Sequence, residues 1–161
     1  MLALAASATL ALAGCAVPGR QAGTAGDAGV SFWSGRLSLR IDSEPAQTFA
    51  ALFELRGGPE QGELVLTSPI GSTLAQLHWS PGEAWLKNGN ESRRYPSVAA
   101  LAEAATGAAI PIEALFGWLA GRQQAVPGWR ADLGNIPGGR LQARRESPLP
   151  VADLRLVFER P

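Results

Sequence analysis

The sequence predicts an α+β fold: an antiparallel, half-open β-barrel of about nine strands whose concave face is covered by two short helices. Two observations lead to this prediction. Short segments that alternate apolar and polar side chains, separated by turn residues, occupy the first and last parts of the chain. Between them the apolar period changes to that of helices. Short strands at such close spacing are typical of an antiparallel meander.

Six strands are predicted before the helices. Their ranges are 35–41, 48–56, 62–67, 73–80, 83–87 and 91–95. In the first strand Leu37, Leu39 and Ile41 share one face, because successive side chains point to opposite sides of a sheet. The Asn-Gly pair at 88–89 is a strong hairpin signal between the fifth and sixth strands. A shift of one residue would exchange the two faces of any strand.

Two short helices are predicted next. Ser97 resembles an N-cap of the first helix, and Gly107 ends it. Pro111 stands in the first turn of the second helix, and Gly121 closes it. The apolar positions at helical spacing are Val98, Leu101, Ala102 and Ala105 in the first helix and Ile112, Leu115, Phe116 and Leu119 in the second. Both helices are therefore expected to lie against one face of the sheet.

The chain returns to strands after the helices, over residues 128–133, 139–146 and 151–160. In the last of these, Leu154, Leu156 and Phe158 alternate with Arg155 and Val157. These segments complete the predicted sheet.

The N-terminus predicts a lipid anchor. Residues 1–14 form an uncharged apolar run that is shorter than the ~20 residues a membrane-spanning helix needs, and it fits the core of a secretory signal. The run ends in Leu-Ala-Gly before Cys15, the only cysteine, and this resembles a bacterial lipobox. We therefore predict a signal peptide over 1–14, a lipidated Cys15, a flexible Gly/Ala/Pro-rich linker over 15–30 and a folded domain over 31–161.

Composition argues against several classes of function. The chain has 14 basic and 14 acidic residues and no basic stripe, which argues against nucleic-acid binding. Its one histidine, His78, lies in a strand-like run, and no Gly-x-Ser-x-Gly motif is present. With one cysteine, the chain offers neither a disulfide nor a thiolate metal site. We expect no catalytic residue, no metal and no cofactor.

One turn carries an unexpected residue. The loop reads Ser68-Pro69-Ile70-Gly71-Ser72, in which Pro, Gly and Ser are turn residues. A turn between strands normally faces water, yet Ile70 is large and apolar. Either Ile70 folds back onto the core, or it meets something apolar outside the protein.

The chain resembles the LolB family of outer-membrane lipoprotein receptors. The segments that carry the resemblance are the lipobox at Cys15, FWSGRLSLRI, LVLTSPIGSTLAQL, YPSVAALAEAATGAAIPIEALFGWLAGR and ADLRLVFER. The family usually has one or two additional strands before the Gly-Trp strand. Here VPGWRADL follows the second helix almost directly, so we expect one side of the barrel to be shortened.

The resemblance implies a receptor, lipid-anchored in the outer membrane and facing the periplasm. It would accept lipoproteins from a soluble LolA-like carrier and insert them into the inner leaflet, without nucleotide or metal. Pro69, Ile70 and Gly71 would form a membrane-inserting loop, and acyl chains would bind in an apolar cavity. The residues we assign to this cavity are Leu37, Leu39, Ile41, Phe49, Ala51, Phe53, Leu115, Trp118 and Leu119. We expect a monomer.

Other interpretations remain open at this point. Each predicted cavity residue could instead belong to an ordinary core. The chain could be another lipid- or glycolipid-binding lipoprotein of the same architecture, which a deep closed cavity without a protruding loop would favour. It could also be a periplasmic hydrolase, or an anchor that only displays an interaction surface on a filled barrel.

Overall fold

The computed structural model describes residues 31–159. They form a single nine-stranded sheet, two α-helices and one 3-10 turn. The strands are β1 Ser31–Ile41, β2 Gln47–Gly57, β3 Gly62–Thr67, β4 Thr73–Ser80, β5 Glu83–Asn88, β6 Glu91–Tyr95, β7 Trp129–Asp132, β8 Arg140–Arg145 and β9 Ala152–Glu159. The helices are α1 Val98–Thr106 and α2 Ile112–Leu119, and the 3-10 turn is Ile136–Gly138. The predicted signal peptide, lipidated Cys15 and linker lie outside the described residues.

The sheet is open. Its strand order is β6-β5-β4-β3-β2-β1-β9-β8-β7, and every neighbouring pair is antiparallel. The first six strands form the predicted meander, and the last strand closes back on the first, with Leu37 paired to Leu156. The edge strands β6 and β7 are not neighbours in this sheet. The predicted half-open antiparallel barrel with two helices is therefore confirmed.

The two long central strands show why the sheet has an apolar face. Along β1, Leu37, Leu39 and Ile41 are buried, whereas Arg36 and Arg40 are exposed. The same alternation runs along β2, and the register pairs Leu37 with Ala51 across the two strands. The predicted assignment of faces is correct on both strands. The strand β1 begins four residues before the predicted start at residue 35, at Ser31.

Helix α1 begins and ends where its capping residues predict, whereas Pro111, predicted in the first turn of α2, is its N-cap, and Ala120, just before the predicted Gly121, is its C-cap. The Ser97 hydroxyl accepts a hydrogen bond from the Ala100 amide at 3.1 Å, which satisfies a free amide of the first turn. Gly107 ends α1 in the left-handed conformation with φ of 85°. Every residue of α2 except Glu113 is buried. A helix that is apolar on nearly all sides must lie inside the protein, and α2 packs within the core on the concave face of the sheet.

Strand directions place the hairpin loops at two ends of the sheet. Strands β1, β3 and β8 run in one direction, because each is antiparallel to β2 or β9. The loops at residues 42–46, 68–72 and 146–151 therefore lie at one end, here called the Ile70 end. The loops at residues 58–61 and 133–139 lie at the opposite end.

After α2 the chain forms three strands, β7, β8 and β9. Between α2 and β7 the chain forms no strand in the described region, apart from an isolated bridge from Val126 to Trp129. The 3-10 turn Ile136–Gly138 was not predicted, because its sequence reads only as turn residues; Ile136 is buried in the core. Neither helix of the described region has the length and apolar character to cross a bilayer.

Candidate lipid and membrane site

The Ser68–Ser72 loop is a well-ordered turn. The Gly71 amide donates to the Ser68 carbonyl at 2.9 Å, and the Ser68 amide donates to the Ser72 carbonyl at 2.8 Å. The Ser68 hydroxyl accepts a third hydrogen bond from the Ser72 amide at 3.0 Å. Gly71 has φ of 90°, a value that L-residues rarely adopt, so glycine is required there. Pro69 presets the turn, and the loop holds its tip without help from the core.

Ile70 projects from this turn into solvent. Its side chain is 90% exposed, the highest value among the large apolar residues that the structure describes. Of the two alternatives left open above, the structure therefore excludes an Ile70 that folds back onto the core. The membrane-inserting role of Pro69, Ile70 and Gly71 stays a prediction.

The nine predicted cavity residues are brought together. Eight are buried and belong to the core between the sheet and the helices; Phe49 is partly buried and packs against them. Leu39 and Leu115 are each at most 1% exposed. The concave face of the sheet is covered by α2, so these side chains contact one another. Their predicted role in binding acyl chains is untested.

Aromatic side chains hold α2 against the sheet. Phe116 contacts the ring of Trp33 on β1 with centroids 5.7 Å apart, and that of Trp79 on β4 at 6.1 Å, both edge to face. Trp118 lies 6.4 Å from Trp129. Aromatic pairs in such arrangements each contribute roughly 0.5–1.5 kcal/mol beyond burial. Of these five aromatic residues, the sequence analysis assigned only Trp118 to the cavity; it placed Phe116 on the apolar stripe of the helix without foreseeing its contacts with Trp33 and Trp79.

Trp118 also ties α2 to the segment that follows it. The indole Nε1 donates a hydrogen bond to the Gln124 carbonyl at 3.0 Å. The Arg122 amide donates to the Gly117 carbonyl at 2.8 Å, which folds residues 120–124 back over the end of the helix. A Cβ at Gly117 would lie 2.5 Å from the Gln124 side-chain oxygen, so this helix position needs a glycine or a shifted Gln124.

The outer face of the sheet is polar and carries a shallow groove. The groove has a volume of about 950 Å³ and is lined in part by Glu63, His78 and Trp85, near the loop at residues 58–61. His78 is half exposed and its Nε2 lies 3.4 Å from a carboxylate oxygen of Glu63. Within residues 31–159 no group of three or more His, Cys, Asp or Glu side chains is placed to hold a metal ion.

Two features of the β8–β9 connection were missed by the sequence analysis. Arg145 is only 7% exposed; its Nη2 donates to the Pro150 carbonyl at 3.0 Å, and its Nε has no hydrogen-bond partner among the described residues. Leu149 is 77% exposed and lies between Pro148 and Pro150. The signal that singled out Ile70, an apolar residue between turn residues, was also present at Leu149.

A family model and individual related proteins both identify similarity to the outer-membrane lipoprotein LolB. A family model for the outer membrane lipoprotein LolB matches residues 32–147. An outer-membrane lipoprotein LolB of Bordetella petrii is 34% identical over 144 residues, which cover 87% of this chain and 67% of the relative.

Two further relatives match over a shorter range. The LolB of Cupriavidus metallidurans is 38% identical over 92 residues, or 55% of this chain and 44% of the relative. That of Yersinia pseudotuberculosis is 33% identical over 92 residues, or 56% of this chain and 44% of the relative. The chain thus aligns with about two thirds of one relative and less than half of the others.

Proposed function

Because this chain belongs to the LolB family of outer-membrane lipoproteins, we propose that it is a lipid-anchored receptor of the outer membrane, facing the periplasm. It accepts lipoproteins from a soluble periplasmic carrier of the LolA type and inserts them into the inner leaflet. The observation that carries this proposal is Ile70, which stands 90% exposed on a hydrogen-bonded turn at one end of a barrel with an apolar interior. The anchor is the predicted acylated Cys15.

The cargo explains why the interior must be apolar. Acyl chains exposed to water are unfavourable by about 25 cal/mol for each Å² of apolar surface. A receptor therefore has to offer them a dry surface of its own. The nine predicted cavity residues supply one, because none of them carries a charge; six lie on one face of β1 and β2, and the other three lie on the buried helix α2.

Binding of acyl chains requires α2 to move away from the sheet. In the structure the side chains of Leu115, Phe116 and Leu119 fill the concave face. An acyl chain that replaces them exchanges one apolar contact for another. The net affinity is therefore much smaller than the full burial of the chain would give, and the cargo can be both bound and released.

Ile70 is a weak membrane contact in this scheme. Burial of one isoleucine side chain contributes roughly 1.5–3 kcal/mol, which orients a protein already held by acyl chains but does not anchor it. The contact would hold the barrel against the bilayer so that the cargo does not cross water. The cargo moves from carrier to receptor to membrane because its acyl chains bind each of these more tightly than the one before. We assign no catalytic residue to the transfer. The receptor works as a monomer in this proposal.

The alternative is another lipid- or glycolipid-binding lipoprotein of the same architecture. The protruding turn with its exposed apolar tip favours the first proposal, because a protein that only stores an amphiphile has no need of a membrane contact beyond its anchor.

A transfer assay separates the two. A fluorescent lipoprotein is loaded on the soluble carrier, mixed with the full chain carrying Cys15→Ser, and then offered to liposomes. The proposal expects the label to move to this protein and then to the liposomes. If the unaltered chain and this variant both leave the label on the carrier, the receptor function is wrong. Binding of free lipid without transfer would support the alternative.

A further inference from the structure

Leu149 stands out among the exposed apolar residues of the described region. It is 77% exposed, second only to Ile70, and it lies at the tip of the β8–β9 loop between two prolines. We propose that this loop is a second membrane contact, so that the receptor touches the bilayer at Leu149 as well as at Ile70. The inference rests on the proposed function, which supplies the membrane, and extends it to a surface that the family resemblance did not assign.

The topology places the two tips at the same end of the sheet. Strand β3 runs into the Ile70 loop and β8 runs into the Leu149 loop, and these strands have the same direction. The two hairpins are separated by β2 and β1, which makes about four strand spacings, or roughly 19 Å along the sheet. Two contacts at this separation restrict the tilt of the barrel along the line that joins them, which one contact cannot do.

The backbone of the Leu149 loop is suited to a poorly hydrated environment. Pro148 and Pro150 have no amide hydrogen. The residues on both sides of Leu149 therefore have no backbone hydrogen-bond donor that would lose water when the tip enters the membrane. At the base of the loop the Glu146 amide donates to the Gly128 carbonyl at 2.8 Å, and the Val151 carbonyl accepts from the Asp42 amide at 2.9 Å.

A buried arginine holds the loop in place. The Pro150 carbonyl accepts the hydrogen bond from Arg145, whose side chain lies inside the barrel. Gly128 packs so closely on the loop that a Cβ there would meet the Ser147 carbonyl oxygen at 1.8 Å. The tip is thus held by contacts at its base, and Leu149 needs little further ordering to enter lipid.

The charges beside the loop are paired. Arg130 lies 3.4 Å from Glu146, and Arg144 lies 2.9 Å from Asp153. No isolated charge of these four has to leave water when the tip approaches the headgroups. The loop at residues 42–46 lies between the two tips along the sheet; it carries Asp42, paired with Arg40, and Glu44, so it would stay in the headgroup layer.

The test labels the three exposed positions one at a time. Leu149→Cys, Ile70→Cys and Val157→Cys are each made in the full lipidated chain, in which the acylated Cys15 does not react, and labelled with a polarity-sensitive fluorophore. Val157 is the control, because it is 54% exposed on the outer face but lies toward the opposite end. The proteins are reconstituted in vesicles of phosphatidylethanolamine and phosphatidylglycerol.

The inference expects a blue-shifted emission at positions 149 and 70 and an aqueous emission at position 157. A lipid-like signal at position 70 with an aqueous signal at 149 would overturn the second contact and leave the proposed function intact. Aqueous signals at both positions would overturn the inference together with the membrane role of Ile70. The receptor function is tested separately by the transfer assay.

A second measurement separates a membrane contact from a contact with the carrier. Leu149→Glu should slow release of cargo into these vesicles by about tenfold, as expected for loss of one apolar contact, and leave acceptance from the carrier unchanged. Val157→Glu, which is flanked by Arg36 and Arg140, should change neither step. Impaired acceptance with normal release would mean that Leu149 contacts the carrier, and the inference would be wrong.

Discussion

Phe116 of α2 meets Trp33 of β1 edge to face, with ring centroids 5.7 Å apart and an angle of 69° between the planes. Trp79 of β4 contacts Phe116 at 6.1 Å, and its own Nε1 donates to the Gly58 carbonyl at 3.1 Å. One side chain of α2 thus joins two strands that are separated in the sheet by β2 and β3. Any opening of the concave face must break this contact.

Phe116→Ala should therefore loosen α2 and destabilise the domain. We expect the free energy of unfolding to fall by about 3–5 kcal/mol, since a buried aromatic side chain is removed and the space is only partly refilled. Denaturant unfolding followed by tryptophan fluorescence measures the change. Phe32→Ala is the matched control, because Phe32 is only partly buried and its ring lies 4.9 Å from the guanidinium of Arg56. An equal decrease in the free energy of unfolding for the two variants would show that the contacts of Phe116 with Trp33 and Trp79 contribute nothing particular to stability.

Ile70→Glu should separate acceptance of cargo from its delivery. The variant is expected to accept cargo normally and to release it into liposomes about tenfold more slowly, because a charged tip does not enter the acyl region. Its stability should change by no more than about 0.5 kcal/mol, since the side chain is exposed. Ile70→Leu keeps the apolar tip and should behave as the unaltered protein. Normal delivery by Ile70→Glu would remove the membrane role of this loop.

Acyl chains should bind on the concave face and not in the outer groove. Brominated fatty acids quench tryptophans they contact; Trp33 is buried beside α2, and Trp118 is buried on α2 itself. Trp85 lines the outer groove and lies 5.1 Å from the guanidinium of Arg94. We expect the quenching to persist in Trp85→Phe and to decrease in Trp33→Phe. Loss of quenching in Trp85→Phe alone would place the lipid on the outer face.

Ser97→Ala should weaken the start of α1. The Ser97 hydroxyl accepts a hydrogen bond from the Ala100 amide, and its loss should lower the free energy of unfolding by ~1 kcal/mol. Hydrogen exchange of the α1 amides should become faster, which mass spectrometry measures. Ser92→Ala, on the exposed strand β6, is the control and should leave both quantities unchanged. Unchanged exchange in Ser97→Ala would show that packing alone holds the first turn.

Local sequence patterns determined the secondary structure well because they depend on neighbours along the chain. The alternation in β1 and β2 identified which side chains point inward, and both faces were correct. Ser97 and Gly107 marked the ends of α1, since capping satisfies backbone groups within a few residues. The turn residues around Ile70 likewise predicted the loop.

The sequence by itself thus determined the elements, their apolar faces and a family resemblance, and the comparisons confirmed the family. Only the tertiary structure decided that Ile70 faces solvent, that α2 fills the concave face, and that the Leu149 loop lies at the same end as Ile70. The position of the Leu149 loop depends on the pairing of β1 with β9, and the filling of the concave face depends on the packing of α2; both join residues far apart in the chain. A periodic pattern states which side of a segment is apolar, but what that side meets is set by the pairing of distant segments.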